Sequence, residues 1–247
     1  MPLPTAIFFD MDDTLLDAYA KPADAWRRLL GRHARKLDGR DIEELLAAIL
    51  AAGRPFWADA VNAARWRLDI AGARRQVVRG GFAALNFEDT ALADEIADAF
   101  TQMRRDEYRL FPDAIATLDG LRAQGVKLAL ITNGASDMQR HKIDRFDLAR
   151  HFDHIQIEGE FGRGKPELDV YHHALAQVGV APRDTWMVGD NLEWDVLAPM
   201  QLGIHGIWYD PHRLGYAVAM HPGVLAPMPE AKPDRVIHRL TELLELG

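Results

Sequence analysis

The sequence predicts an α/β protein, a doubly wound and Rossmann-like parallel sheet with an inserted all-helical domain. Three observations lead there. A continuous apolar run, Ala6-Ile7-Phe8-Phe9, stands near the start and ends at Asp10, the pattern of a strand buried on both faces. From Lys21 to about Arg105 apolar residues recur at helical spacing and no strand pattern stands out. After Phe111-Pro112 short apolar runs alternate with helical stretches, which favours a parallel sheet with helices on both faces.

Within the insertion, Trp26, Leu29, Leu30, His33 and Leu37 trace one helical face, and Ile42, Leu45, Leu46, Ile49 and Leu50 trace another. Pro22 and Pro55 are placed to begin helices. Gly53 reads as a break, and so does Gly80-Gly81 unless that pair lies inside a bent helix. Beyond the insertion the reading is a helix over 112–123, a strand over 126–131 and a helix after Ser136. A short strand over 155–157, a helix over 167–177, a strand over 186–188, a helix over 193–201 and a strand over 206–209 follow. The segment 210–233 carries five prolines and reads as a surface loop. Val236-Ile237 reads as an edge strand and 238–246 as a closing helix. The expected domains are a core of 1–17 and 107–247 and a helical insertion of 18–106.

The bulk properties narrow the function. Apolar residues make up 48% and charged residues 27% of 247, an ordinary globular mixture that buries a core without staples. There is no cysteine, which excludes disulfides and thiolate metal sites and fits the cytoplasm. A net charge of −8 argues against nucleic acid as the partner. No stretch is long and apolar enough for a membrane span, and the start lacks the pattern of a signal peptide. A soluble monomer or homodimer is expected.

Ligands of an open parallel sheet gather at the carboxyl ends of its strands. Strand one delivers Asp10-Met11-Asp12-Asp13-Thr14, and the strand ending at Ile131 delivers Thr132-Asn133-Gly134. The stretch after Ile157 leads through a glycine-spaced loop to Lys165-Pro166. The strand ending at Val188 delivers Gly189-Asp190, with Asp195 one helical turn on. Asp10, Asp12, Asp190 and Asp195 against one lysine leave an excess of negative charge, and carboxylates this close repel. A divalent cation would relieve it, and oxygen-only ligands favour Mg²⁺ over Zn²⁺.

These four segments, Asp10 to Leu15, Thr132 to Gly134, Gly164 to Pro166 and Gly189 to Asp195, resemble the four motifs of the haloacid dehalogenase-like hydrolases, in that family's order and at its strand ends. The insertion is placed like the family's type-one cap. The resemblance implies a phosphomonoesterase acting on a small phosphorylated metabolite, such as a sugar phosphate, a nucleoside monophosphate or a phospho-acid. It implies that Asp10 forms an aspartyl-phosphate and that Asp12 serves as acid and then base. Thr132 and Asn133 would bind the phosphoryl group, and Lys165 would offset charge. Mg²⁺ would be held by the Asp10 carboxylate, the Asp12 backbone carbonyl and Asp190, with Asp195 supporting the site or its lysine. Asp13 stands where the family often has glycine.

A phosphotransferase or sugar-phosphate mutase would keep the same motifs. A 2-haloacid dehalogenase is disfavoured because that branch lacks an aspartate at the Asp12 position. A retired, phosphate-binding relative would be expected to have lost a nucleophile or metal ligand. Alone, each segment reads as an ordinary turn or helix start. His151 and His154 read as solvated, and His172-His173 receives no role. Trp57, Trp66, Arg54, Arg65 and Arg67 could grip a substrate but read first as core and solvated helix faces. Arg74, Arg75, Arg79, Arg104 and Arg105 read as solvated.

Overall fold

The computed structural model describes residues 3–18, 22–213, 215 and 232–246. Two compact units emerge: an α/β unit that contains the stretches up to Asp17 and from Arg109 onward, and a helical unit over Ala18–Tyr108.

The chain enters the α/β unit on β1 (Ala6–Phe9), turns, and forms β2 (Leu16–Asp17). The helical unit follows as α1 (Pro22–Arg32), α2 (Ile42–Ala58), α3 (Ala60–Trp66), α4 (Ile70–Ala84) and α5 (Thr90–Glu107). β3 (Arg109–Leu110) then pairs antiparallel with β2. This two-stranded ribbon was not expected, because two residues are too few to show a period.

The rest alternates. It runs through α6 (Ala114–Ala123), β4 (Lys127–Thr132), α7 (Ser136–Arg145), β5 (His154–Ile157) and α8 (Glu158–Phe161). It continues through α9 (Leu168–Val178), β6 (Thr185–Gly189), a π-helical turn over Leu192–Leu197, α10 (Ala198–Met200), β7 (His205–Tyr209) and β8 (Arg235–Ile237). A 3₁₀ helix over Leu240–Glu245 closes the chain. The single helices expected over 193–201 and 238–246 are therefore a π-turn running into α10 and a 3₁₀ helix. The expected loop over 210–233 lies mostly outside the described residues.

The sheet has six strands in the order β5-β4-β1-β6-β7-β8, and every neighbouring pair is parallel. β1 lies centrally, and all four of its side chains are buried. Phe8, Ala129, Ile131 and Met187 form one core with Val170, Tyr171 and Ala174 of α9, while Ile7 and Phe9 are buried on the opposite face. This double burial explains why the strands read as continuous apolar runs.

The helical unit has its own core, in which Trp26 stacks on Phe100 at 3.6 Å between ring centroids. Four of its helices begin on an aspartate whose carboxylate accepts a backbone N–H three residues on. These are Asp41 from Glu44, Asp59 from Asn62, Asp69 from Gly72 and Asp89 from Leu92, at 2.8–2.9 Å; such caps stabilise a helix by about 1 kcal/mol each. Gly53 and Pro55 do not break or start a helix; both lie inside α2. Gly81 lies inside α4, and a Cβ there would meet Ile49 Cα of α2 at 2.8 Å. A Cβ at Gly53 would meet Val77 of α4 at 3.4 Å. The glycines let the two helices approach, and packing overrides their poor helix propensity.

Candidate active site

The site is built from the carboxyl ends of β1, β4 and β6. The ladder carries one step past β1, with Asp10 N–H donating to Val188 O at 2.9 Å. The chain then turns sharply, and the Leu15 and Leu16 N–H groups both donate to Met11 O at 2.9 Å. Asp13 takes φ +58° in this turn, a left-handed conformation that glycine adopts without steric cost and aspartate tolerates. That explains why glycine is common there in the family the sequence resembles.

The turn presents two carboxylates to two different partners. Asp10 faces Lys165, whose Nζ lies 2.7 Å from Asp10 Oδ1 and 2.5 Å from Asp195 Oδ1. The lysine side chain is 1% exposed. Thr14 Oγ1 stands 3.2 Å from Asp10 Oδ2 and accepts the Asp190 N–H at 3.1 Å. Asp12 instead faces Lys142 and Gln139 of α7. Lys142 Nζ lies 2.7 Å from both Asp12 oxygens, and Gln139 Nε2 lies 3.0 Å from Asp12 Oδ2.

After β6, Gly189 permits a close approach, since a Cβ there would meet the Asp195 carboxylate at 2.2 Å. Asn191 caps the π-turn by accepting from Glu193 and Trp194 N–H at 3.1 and 3.0 Å, and its own N–H donates to Asp195 Oδ2 at 3.1 Å. Trp208 Nε1 donates to Asp190 O at 2.8 Å, and the Tyr171 hydroxyl donates to Trp194 O. Asp190 and Asp195 are thus fixed by backbone bonds and large side chains.

Oxygen atoms of Asp10, Asp190 and Asp195 all lie within 4.8 Å of one another. Burial pushes the Asp10 carboxyl up to about 7, against the pull of Lys165 and with help from Asp195. Burial also raises Asp190 well above the usual carboxylate range, assisted by Asp10 and Asp195. Burial raises Asp195 as well, opposed by Lys165. Burial pulls the Lys165 ammonium down, but Asp10 and Asp195 outweigh it and hold it above the usual lysine range. Two buried carboxylates and one partly buried one, with one ammonium, remain short of positive charge, and the all-oxygen donor set suits a hard divalent cation.

Asp10, Lys165, Asp190 and Asp195 are therefore in contact or close to it. Thr132 is buried at the end of β4, paired in register with Ile157 of β5, and its Oγ1 lies 2.5 Å from Gln139 Nε2. Asn133 does something other than expected. Its carboxamide donates to Lys165 O and accepts from Lys165 N–H, both at 2.7 Å, so it ties the lysine's backbone to the end of β4. The Asp12 carboxylate is taken up by Lys142 and Gln139, and its charge still helps to raise Asp10.

Thr14 stood in the first motif without a role, and three residues escaped the sequence reading: Gln139, Lys142 and Glu158. Glu158 follows β5 directly, at the same sheet edge as the other site residues. Its carboxylate accepts Gly134 N–H at 3.0 Å, and a Cβ on Gly164 would strike it at 2.5 Å, so it joins the loops that carry Thr132 and Lys165. Gln139 and Lys142 stand three apart on α7 and share a face.

Other expectations need correction. His151 is 3% exposed, and its Nδ1 lies 3.0 Å from Asp119 Oδ1; it is buried, not solvated. Arg104 is buried and donates to Ala18 O. Trp57 is 39% exposed, and Arg65 lies over Trp66 at 5.1 Å.

A family model described as haloacid dehalogenase-like hydrolase matches residues 4–203. The chain belongs to the haloacid dehalogenase-like hydrolases. Among curated relatives of this hydrolase is a phosphoserine phosphatase from Thermus thermophilus, 40% identical over 61% of this chain and 56% of its own length. A pyrimidine 5′-nucleotidase from Escherichia coli is 28% identical over 83% of this chain and 86% of its own. The fold is shared with the putative hydrolase YfnB from Bacillus subtilis, solved bound to magnesium. The TM-score is 0.71 at 20% identity, over 99% of this chain and 98% of that one. Among the described residues no helix is long and apolar enough to cross a membrane.

Proposed function

We propose that this hydrolase is a Mg²⁺-dependent phosphomonoesterase that cleaves a small phosphorylated metabolite through an aspartyl-phosphate on Asp10. The observation that carries the reading is the Asp10 carboxylate, buried between Lys165 Nζ at 2.7 Å and Thr14 Oγ1 at 3.2 Å, with Asp190 and Asp195 beside it.

Asp10 attacks phosphorus and splits one slow step into two. Asp12 gives a proton to the leaving oxygen, then takes one from the water that releases phosphate. Lys165 holds the nucleophile's orientation and balances charge on the phosphoryl group. Thr132 offers its hydroxyl to a phosphoryl oxygen. Asp10, Asp190 and the Asp12 backbone carbonyl would hold Mg²⁺, which supplies charge neutralisation at the phosphoryl oxygens when bound. Asp195 keeps Lys165 in place. In the same reading the helical unit is the family's type-one cap. The phosphatase names of the relatives support small esters as substrates, with phosphoserine and pyrimidine nucleotides the first to try.

The test is release of inorganic phosphate by purified protein with Mg²⁺ from a panel of phospho-amino acids, nucleotides and sugar phosphates. Asp10→Asn should abolish release while the protein stays folded, and chelator should stop turnover until Mg²⁺ is restored. Full turnover in excess chelator would remove the metal from the reading. Chloride release from a haloacid without Mg²⁺ would replace the reading with a dehalogenase, and transfer of the phosphoryl group to a sugar hydroxyl with a mutase.

A further inference from the structure

We infer that Lys142 and Gln139 form a clamp that positions Asp12 for proton transfer, a role distinct from that of Lys165 at the nucleophile. The inference rests on the proposed phosphatase reading. The Lys142 side chain is 2% exposed, yet it comes from a helix and reaches Asp12, which the Lys165 ion pairs do not include. Its Nζ spans both Asp12 oxygens at 2.7 Å and also donates to Gln139 Oε1 at 2.7 Å. A buried ammonium is costly unless it is well paired, and Asp12 supplies the carboxylate of that pair.

Gln139 extends the clamp. Its Nε2 lies 3.0 Å from Asp12 Oδ2, 2.5 Å from Thr132 Oγ1 and 2.8 Å from Asn133 O. One carboxamide therefore registers the acid–base residue against the hydroxyl expected to meet the phosphoryl group. Spacing i, i+3 on α7 puts both groups on one face, so the helix acts as a ruler between the end of β4 and the turn after β1.

The chemistry needs such a ruler. In the first half-reaction Asp10 Oδ bonds to phosphorus, the bond to the leaving oxygen breaks, and the Asp12 proton passes to that oxygen. In the second, water oxygen bonds to phosphorus and its proton passes to Asp12. The bond from phosphorus to Asp10 then breaks, freeing phosphate and the Asp10 carboxylate. One carboxyl group must reach two different oxygens on the same line, so its orientation limits both halves.

Lys142→Met tests this, since it keeps length and loses the donors. Poor leaving groups depend on the proton and good ones do not. The variant should lose about 10²-fold in kcat/KM on an alkyl phosphate, and only a few-fold on p-nitrophenyl phosphate. On p-nitrophenyl phosphate kcat should fall with KM, and a burst of p-nitrophenolate should appear as the aspartyl-phosphate accumulates. Lys142→Arg should restore much of the alkyl phosphate rate. Asp12→Asn combined with Lys142→Met should be no slower than Asp12→Asn alone, as for residues acting as a unit.

An equal loss on both leaving groups without a burst would reduce Lys142 to a structural lysine, as would multiplicative losses in the double variant. Should Lys142→Met fail to fold, Gln139→Met leaves the ammonium in place and should show the same leaving-group bias at smaller amplitude; an unbiased loss there overturns the clamp. Wild-type protein inert towards every phosphate ester would overturn the phosphatase reading itself, and the clamp with it.

Discussion

The helical and α/β units both carry cation–carboxylate pairs at nearly equal distances, and the pairs do different things. In the helical unit Arg75 meets Asp98 at 2.7 Å, Lys36 meets Glu95 at 2.6 Å and Arg79 meets Asp94 at 2.5 Å, with side chains from 30% to 57% exposed. In the α/β unit Lys165 meets Asp10 at 2.7 Å and Asp195 at 2.5 Å, with side chains at 1–10%. Distance does not separate the sets; water does. An exposed pair exchanges one good environment for another, whereas a buried pair has no alternative partner once broken. The buried set also lacks neutrality, with more carboxylates than ammonium groups.

Breaking the buried set should give the largest effect. Lys165→Met leaves Asp10 and Asp195 without their ammonium, and loss of one partner from such a pair costs about 3–5 kcal/mol. Urea unfolding in chelator at pH 8 should show it, and phosphatase activity should disappear. At pH 5 the destabilisation should shrink, because the abandoned carboxylates can take up protons. A Lys165→Met protein as stable as wild type at pH 8 would equate the two sets of pairs.

The next effect is linked to protons and metal. Asp10 is raised to about 7 by burial, and Asp190 and Asp195 are raised in the same direction. An unfolded aspartate titrates near about 4. Between those values the folded protein holds protons that the unfolded chain has lost, so metal-free stability should fall as pH rises from about 4 through about 7. In the proposed reading Mg²⁺ would bind the ionised form, and at a hundredfold excess over its Kd it would add about 2.7 kcal/mol. The melting temperature should therefore respond to Mg²⁺ more at pH 8 than at pH 5. An equal response at both would mean that the acidic cluster is not where the ion binds.

The contrast between units also explains what could be read from sequence. Asp10 and Asp190 follow, and Thr132 ends, a strand buried on both faces, so an apolar run locates the strand and its end locates the site. Lys165 stands beyond a glycine-spaced loop and not at a strand end; its backbone is held by the Asn133 carboxamide, 32 positions away. Lys142 and Gln139 were invisible because their meaning depends on how α7 is rotated against the turn after β1, which no local pattern encodes. Glu158 was legible as a strand-end carboxylate but was masked by the lysine further along. In the helical unit the amphipathic faces stood out, while Gly53, Pro55 and Gly81 misled. Their local propensity says break, but the close packing of α2 on α4 decides.

That packing gives a smaller effect. Gly81→Ala sets a Cβ 2.8 Å from Ile49 Cα, a backbone atom that cannot swing aside. Overpacking of this kind costs about 1–3 kcal/mol, against the fraction of a kcal/mol that alanine gains over glycine in a free helix. The sign of the measured change is the test, since a more stable Gly81→Ala protein would mean that α2 and α4 do not meet as closely as this.

The smallest effect should come from Arg75→Ala. The guanidinium makes two bonds to Asp98, at 2.8 and 2.7 Å, a bidentate geometry as good as any in the site. Both side chains nevertheless stand in water, and the hydrogen bond with Asp98 raises the arginine's already high pKa without changing its charge in any usable pH range. Solvent replaces the lost bonds on both sides, and salt screens what remains. The urea midpoint should stay within experimental scatter of the wild type in 0.15 M salt, and the same should hold for Asp98→Ala. A clear shift in either would mean that the bidentate geometry stabilises the helical unit despite its exposure. The line between the two sets of pairs would then have to be drawn by geometry rather than by water.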